Sequence, residues 1–280
     1  YVACDQGQVD CVRLLLGAGA SVDLAAPTDD GITPLYVACD QGQVDCVRLL
    51  LGAGASVDLA RTDNGATPLL AACQEGHVEC VQLLLGAGAS VDLARTDNGT
   101  TPLNVACFKS HIECARLLLG AGASVDLATT GNGGTPLYIS CLEGRVECVE
   151  LLLGAGASVD LATTDTGTTP LCMACLGGHV ECVRLLLGVG ASVDLARTDN
   201  GITPLLIACH QGHIECVRLL LGAGASVDLA RAGSGETPLR IAFEQGHIEA
   251  VQLLSSYSAR RESPTEDMSL DYPEHAALIE

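Results

Sequence analysis

The chain has 280 residues, with 14 Lys and Arg against 34 Asp and Glu, for a formal net charge of −20. Hydrophobic residues make up 48% but aromatics only 2%, and Trp is absent, so Leu, Val, Ile, Ala and Cys must supply any core. The acidity argues against a nucleic-acid partner, whose phosphates need a basic face, and no apolar run approaches the roughly 18 residues that cross a bilayer.

Followed from its first residue, the chain repeats itself. Tyr1–Ala25 recurs letter for letter as Tyr36–Ala60, with Pro27 as an extra residue in the connection. Thr-Pro-Leu stands at Thr33, Thr67, Thr101, Thr135, Thr169, Thr203 and Thr237, 34 residues apart each time. In the unit from Thr67, that threonine is a predicted N-cap and Pro68 fills the first helical position, where a missing N–H costs nothing. A short helix from Leu69 to Gln74 is expected to end at Gly76, which suits a left-handed residue. A second helix is expected from about His77 to Leu85, with Glu79 in its first turn favoured by the helix dipole. Val78, Val81 and Leu85 form its predicted core-facing stripe, and Gly86 and Gly88 close it. Asp97, Asn98 and Gly99 then signal a tight turn into the next unit. Neither helix is long enough to stand alone in water, so burial must come from stacking on neighbours. The expected fold is an all-α repeat solenoid of helix-turn-helix units joined by β-hairpin-like fingers.

The run Gly65-Ala66-Thr67-Pro68-Leu69, Ala72-Cys73, Gly76-His77-Val78-Glu79, Leu83-Leu84-Leu85 and Gly88-Ala89 resembles the ankyrin repeat, and the likeness extends over roughly residues 1–254. A tetratricopeptide array shares the period but carries a Trp/Tyr/Pro signature that is missing here. Two features depart from the ankyrin pattern. The family's usual His after Thr-Pro-Leu is replaced by Tyr36, Leu70, Asn104, Tyr138, Cys172, Leu206 and Arg240, and the unit is one residue longer than usual. The resemblance implies a non-catalytic scaffold that binds a protein partner on its concave face, acts as a monomer and needs no cofactor. The alternative it leaves open is a targeting or adaptor module of a larger enzyme or channel.

The array is assigned to residues 1–254, a partial first repeat followed by seven more. The last is expected to be a C-terminal cap, because Phe243 and Ala250 replace its two cysteines and Ser255-Ser256 follow Leu253-Leu254. No such change marks the N-terminal side, so the polypeptide is expected to continue upstream of Tyr1. Residues 255–280 lose the period, are rich in Ser, Pro and acid, and are expected to be disordered. Within them Arg260-Arg261-Glu262-Ser263-Pro264 resembles a kinase target, a pattern that also arises by chance.

Fourteen of the fifteen cysteines form two ladders, one from Cys4 to Cys209 on first helices and one from Cys11 to Cys216 on second helices. Both stand where the family has Ala or Val, which marks them as small buried hydrophobes. Successive rungs should lie beyond disulfide reach, and so many free thiols imply an intracellular, reducing compartment, cytoplasm or nucleus. The lone C-x-x-C, Cys172 to Cys175, has no second pair to complete a metal site. His three residues before Cys recurs in several units (His77/Cys80, for example), and so marks scaffold; this His is expected to cap the second helix or bond a neighbouring loop. No catalytic set, metal site or cofactor fingerprint stands out, so no enzyme is expected.

Function is expected where near-identical units diverge. The first of the two residues closing each first helix runs Asp40, Gln74, Phe108, Leu142, Leu176, His210, Glu244. Three consecutive apolar residues flanked by polar ones make a predicted stripe roughly 20 Å long, the anatomy of a protein-binding patch. The expected contact set is Phe108, Lys109, Leu142, Glu143, Leu176, His210 and Gln74, with Arg61, Arg95 and Arg197 from the fingers and neutral Thr129 and Thr163 between them. Drift at a surface position, or Phe108 folding back over Ser110, would give the same letters. The acidity points to a partner with a basic surface.

Overall fold

The computed structural model describes residues 1–26 and 30–262, with side chains to residue 259. Helix α1 (Val2–Asp5) pairs with α2 (Val9–Gly17), α3 (Pro34–Asp40) with α4 (Val44–Gly52), α5 (Pro68–Glu75) with α6 (Val78–Gly86), and α7 (Pro102–Lys109) with α8 (Ile112–Gly120). Then α9 (Pro136–Leu142) pairs with α10 (Val146–Gly154), α11 (Pro170–Gly177) with α12 (Val180–Gly188), α13 (Pro204–Gln211) with α14 (Ile214–Gly222), and α15 (Pro238–Glu244) with α16 (Ile248–Glu262). First helices pack in sequence on one another to form one layer, second helices form the other, and each helix also packs on its own partner.

Local chemistry sets the helix ends. The Thr67 side chain accepts from the Leu70 N–H at 3.2 Å, a cap that typically contributes about 1 kcal/mol. Pro68 follows at the first turn, and Gly76 ends α5 in the left-handed conformation at φ 76°. The same threonine cap recurs on every first helix from α3 to α15. The leucine of each Thr-Pro-Leu from Leu35 to Leu205 is sealed between the layers, as is the series Leu50, Leu84, Leu118, Leu152, Leu186 and Leu220. In α6 the buried residues are Cys80, Val81 and Leu84, while Val78 and Leu85 are half-buried. The expected stripe is therefore turned by one position, because Cys80 faces inward beside Cys39 of the preceding unit.

Adjacent units are tied by three polar contacts. In the fingers, the Arg61 N–H donates to the Ala66 carbonyl at 2.9 Å and the Gly65 N–H to the Arg61 carbonyl at 3.1 Å, a hairpin-like turn with no strand among the described residues. The Thr62 N–H reaches back to the Asp30 carbonyl at 2.9 Å. Below the fingers, the Asp58 carboxylate accepts from the Ser90 N–H at 3.0 Å and hydroxyl at 2.6 Å, a pair repeated along the array. The third tie is the recurring histidine. It makes no side-chain cap; instead the His77 Nε2–H donates to the Asp40 carbonyl of the preceding unit at 3.1 Å.

One boundary differs from the expectation. Helix α16 continues to Glu262, so the array's expected end at residue 254 falls inside a helix, and Ser255–Glu262 extend it. Residues 263–280, including Ser263 and Pro264 of the kinase-like pattern, lie outside the described residues, as does Pro27. In the last unit Ala250 is buried and Phe243 is 73% exposed.

Gly76 shows what close stacking demands. A Cβ there would lie 2.6 Å from the His111 ring, in a conformation side chains rarely adopt, whereas a Cβ on Gly86 meets nothing. Gly76→Ala is expected to destabilise the chain by about 2–3 kcal/mol, from left-handed strain and the displaced histidine bond. Gly86→Ala is expected to stabilise it by about 0.5–1 kcal/mol. Urea unfolding of the two variants checks the opposite signs.

Candidate protein-binding face

The expected stripe lies at the C-terminal ends of three successive first helices: Phe108 on α7, Leu142 closing α9 and Leu176 on α11. They are 42%, 39% and 39% exposed. Exposure alone does not single them out, since Leu59, Leu93, Leu127, Leu161, Leu195 and Leu229 are 39–41% exposed in every unit. What distinguishes the stripe is that it breaks the repeat. Lys109 stands 5.7 Å over the Phe108 ring, a cation–π contact that keeps the ammonium beside the apolar surface. The Leu142 and Leu176 carbonyls each accept a histidine Nε2–H from the next unit, at 3.1 and 3.2 Å, which fixes the backbone under these two side chains.

Towards the C-terminal end the surface deepens. Leu176, His210 and Arg197 from the expected set line one cleft of about 300 Å³. Met173, Ile202, Leu206, Ile207 and Ile241 supply its apolar walls, and Gln211 and Arg231 stand with His210 and Arg197. These walls were not among the candidates. Their signal was nonetheless present: the position held by Ala71 in the third unit becomes Met173, Ile207 and Ile241, and the residue before Thr-Pro-Leu becomes Ile202. Phe108 and Leu142 lie outside this cleft.

The remaining candidates are held by neighbours within the fold. The Arg61 guanidinium bonds Asp63 at 2.6 Å and Asp30 at 3.3 Å, and lies 5.5 Å over the Tyr36 ring. Arg95 and Arg197 bond Asp97 and Asp199, two residues along, at 2.6 and 2.8 Å. These pairs hold Asp63 and Asp97 below the usual carboxylate range. The finger arginines are thus neutralised locally rather than presented as bare cations. Gln74 is half-buried and donates to Glu75 at 3.0 Å, and Glu143 stands 3.9 Å from Arg145. Thr163 is buried in its finger, accepting from the Thr168 N–H at 3.0 Å.

The thiols are structural in placement. All of them except Cys11 are buried, and the Cys172 and Cys175 pair is sealed within α11 and its surroundings. Burial pushes Cys80, Cys114, Cys182 and Cys216 up to about 11, leaving almost no thiolate near neutral pH. Among the described residues, no group of three or more His, Cys, Asp or Glu is placed to hold a metal ion, and no helix is long and apolar enough to cross a membrane.

Stacked two-helix units joined by fingers define a repeat solenoid. The family described as ankyrin repeats (3 copies) matches residues 1–61, 54–129, 122–197 and 189–263. The chain belongs to the ankyrin repeat family. Among solved structures it is similar to the crystal structure of the human ASB11 ankyrin repeat domain, with 33% identity and a TM-score of 0.69. That match covers 79% of this chain and 97% of the other. No curated protein matches. Ankyrin repeats are protein–protein interaction modules and typically non-catalytic.

Native alkylation with iodoacetamide at about pH 8 is expected to modify Cys11 at least tenfold faster than Cys80, Cys114, Cys182 or Cys216. Peptide mass spectrometry reads this directly, and comparable rates would contradict the burial assigned to the ladders.

Proposed function

We propose that this array is a non-catalytic scaffold that binds a protein partner on the face formed by its first-helix ends and fingers, with Phe108, Leu142 and Leu176 as the central contacts. The observation that carries the proposal is the break in the repeat: three consecutive units place apolar side chains where the flanking ones carry Asp40, Gln74, His210 and Glu244. Apolar surface that stacking does not require is free to bury a partner's side chains. Leu176 joins the stripe to the cleft that runs under Arg197 and Arg231, so a partner would lie along the stripe and seat an apolar side chain in the cleft. Gln74 and His210 form the polar rim, and Lys109 and Glu143 offer charges of both signs beside the apolar centre.

The net charge of −20 favours a partner with a basic surface. Its association rate should fall as salt rises, because long-range attraction acts on encounter more than on the docked contacts. Phe108→Ala combined with Leu142→Ala is expected to leave the helical signal unchanged and to weaken the partner's affinity by about tenfold or more. Calorimetry showing unchanged affinity for the double variant removes the stripe as the docking surface.

A further inference from the structure

At the junction between the α7–α8 and α9–α10 units, three positions leave the repeat together. Ser110 stands where the other units have glycine, Ser140 where they have alanine, and Arg145 where they have His or Gln. All three gather around one pair of buried thiols, Cys107 near the end of α7 and Cys148 in α10. The Cys148 thiol reaches the Cys107 carbonyl at 3.6 Å. The two thiols influence each other's titration, and Ser140 and Ser110 act on Cys107 and Cys148 respectively. This pair crosses between the two cysteine ladders, so the spacing of rungs within one ladder does not limit it. At the junction of Cys73 and Cys114, another crossing pair, the positions of Ser110 and Ser140 are held by Gly76 and Ala106.

The three departures share a physical cause. In most other units the left-handed glycine lies flush against the next unit's histidine; a Cβ on Gly178 would lie 2.7 Å from the His213 ring. Ser110 keeps the left-handed conformation, at φ 63°, and carries a Cβ. It fits because the next unit has Arg145 in place of the ring. The exchange removes a tie: no histidine reaches the Phe108 carbonyl, whereas His111 bonds Gln74 and His179 bonds Leu142 on either side, both at 3.1 Å. The Arg145 Nε is also buried without a partner. Opening this junction therefore breaks one histidine tie fewer than opening its neighbours, which admits a small solute to thiols sealed in the closed state. The groups facing Cys148 are Cys107, Ser110, Arg145 and Glu147. Cys107, helped by the Ser110 hydroxyl and the Arg145 charge, holds the Cys148 thiol below its ordinary range against the effects of burial and Glu147.

We propose that Cys148 and Cys107 are a peroxide-responsive pair that closes a disulfide between adjacent units. The Cys148 thiolate attacks one oxygen of hydrogen peroxide; an S–O bond forms, the O–O bond breaks, and hydroxide leaves and is protonated to water. The Cys107 sulfur then attacks the Cys148 sulfenic acid, forming the S–S bond and breaking S–O. The departing hydroxide takes the Cys107 proton as a second water. Two thiols lose two electrons to one peroxide, and the product clamps the units that carry Phe108 and Leu142.

The test uses the 280-residue chain carrying Cys11→Ser, so that the one exposed thiol does not consume reagent. After brief treatment with hydrogen peroxide, non-reducing peptide mass spectrometry is expected to find Cys107 linked to Cys148, two hydrogens lighter, forming about tenfold faster than any Cys73–Cys114 link. Ser110→Gly with Arg145→His, which restores the common repeat, should slow the link about tenfold and move the pH midpoint of Cys148 alkylation upward. Cys107→Ser should leave a sulfenic acid on Cys148 that dimedone traps. Equal linking of Cys73 with Cys114, a sulfenic acid that persists at Cys148 with Cys107 intact, or no effect of the restored repeat overturns the proposal. Each readout is a mass or a rate, so none depends on partner binding.

Discussion

Every unit of this chain depends on burial supplied by its neighbours. A first helix of seven or eight residues and a second of nine are too short to persist alone. The chain contains its own control. Tyr1–Ala25 and Tyr36–Ala60 are identical in sequence, yet Leu50 is 2% exposed between two units while its counterpart Leu15, with a described unit on one side, is 51% exposed. The same letters give a sealed side chain in one place and an open one in the other. Burying a leucine contributes roughly 1.5–3 kcal/mol, so the difference lies in stacking rather than in local propensity. Polar ties sharpen that stacking without driving it: the Asp–Ser pairs and finger hydrogen bonds set the register, and the histidine bonds fit rings against left-handed glycines.

Because stacking occupies the helix faces, specialisation is confined to what they leave free. The ends of the first helices, the fingers and the position before Thr-Pro-Leu change along the array while the leucines and most cysteines do not. The first-helix ends carry the stripe of Phe108, Leu142 and Leu176, and the C-terminal units deepen it into a cleft. Even the departure at Ser110 obeys the packing rule, since it occurs only with Arg145 across the junction. A change at one unit is tolerated when the adjoining unit changes with it.

Much of this was legible in the letters. The 34-residue period, the threonine caps, the left-handed glycines and the ankyrin resemblance follow from residues whose roles are local and repeated. The parts that were not legible depend on contacts between units. Val78 and Leu85 follow a helical period as well as Cys80 and Leu84 do, and only the neighbouring unit decides which pair is sealed. The histidine's partner is a carbonyl 37 residues earlier, a distance no local motif encodes. The finger arginines are ion-paired with Asp63, Asp97 and Asp199, contacts made in the turn that their place in the expected contact set did not convey. The cleft walls were missed because Met173, Ile207 and Ile241 sit at a position that is ordinary core elsewhere. Helix α16 runs on past Leu254 through serines and arginines that carry no periodic signal.

Native-state hydrogen exchange on the 280-residue chain tests the dependence on stacking most directly, because the two identical segments remove sequence as a variable. Amides of α3 and α4, covered on both sides, should exchange at least about tenfold more slowly than the matching amides of α1 and α2. Equal rates in the two segments would mean that each unit holds itself together, and the account given for the fold and for its free face would be wrong.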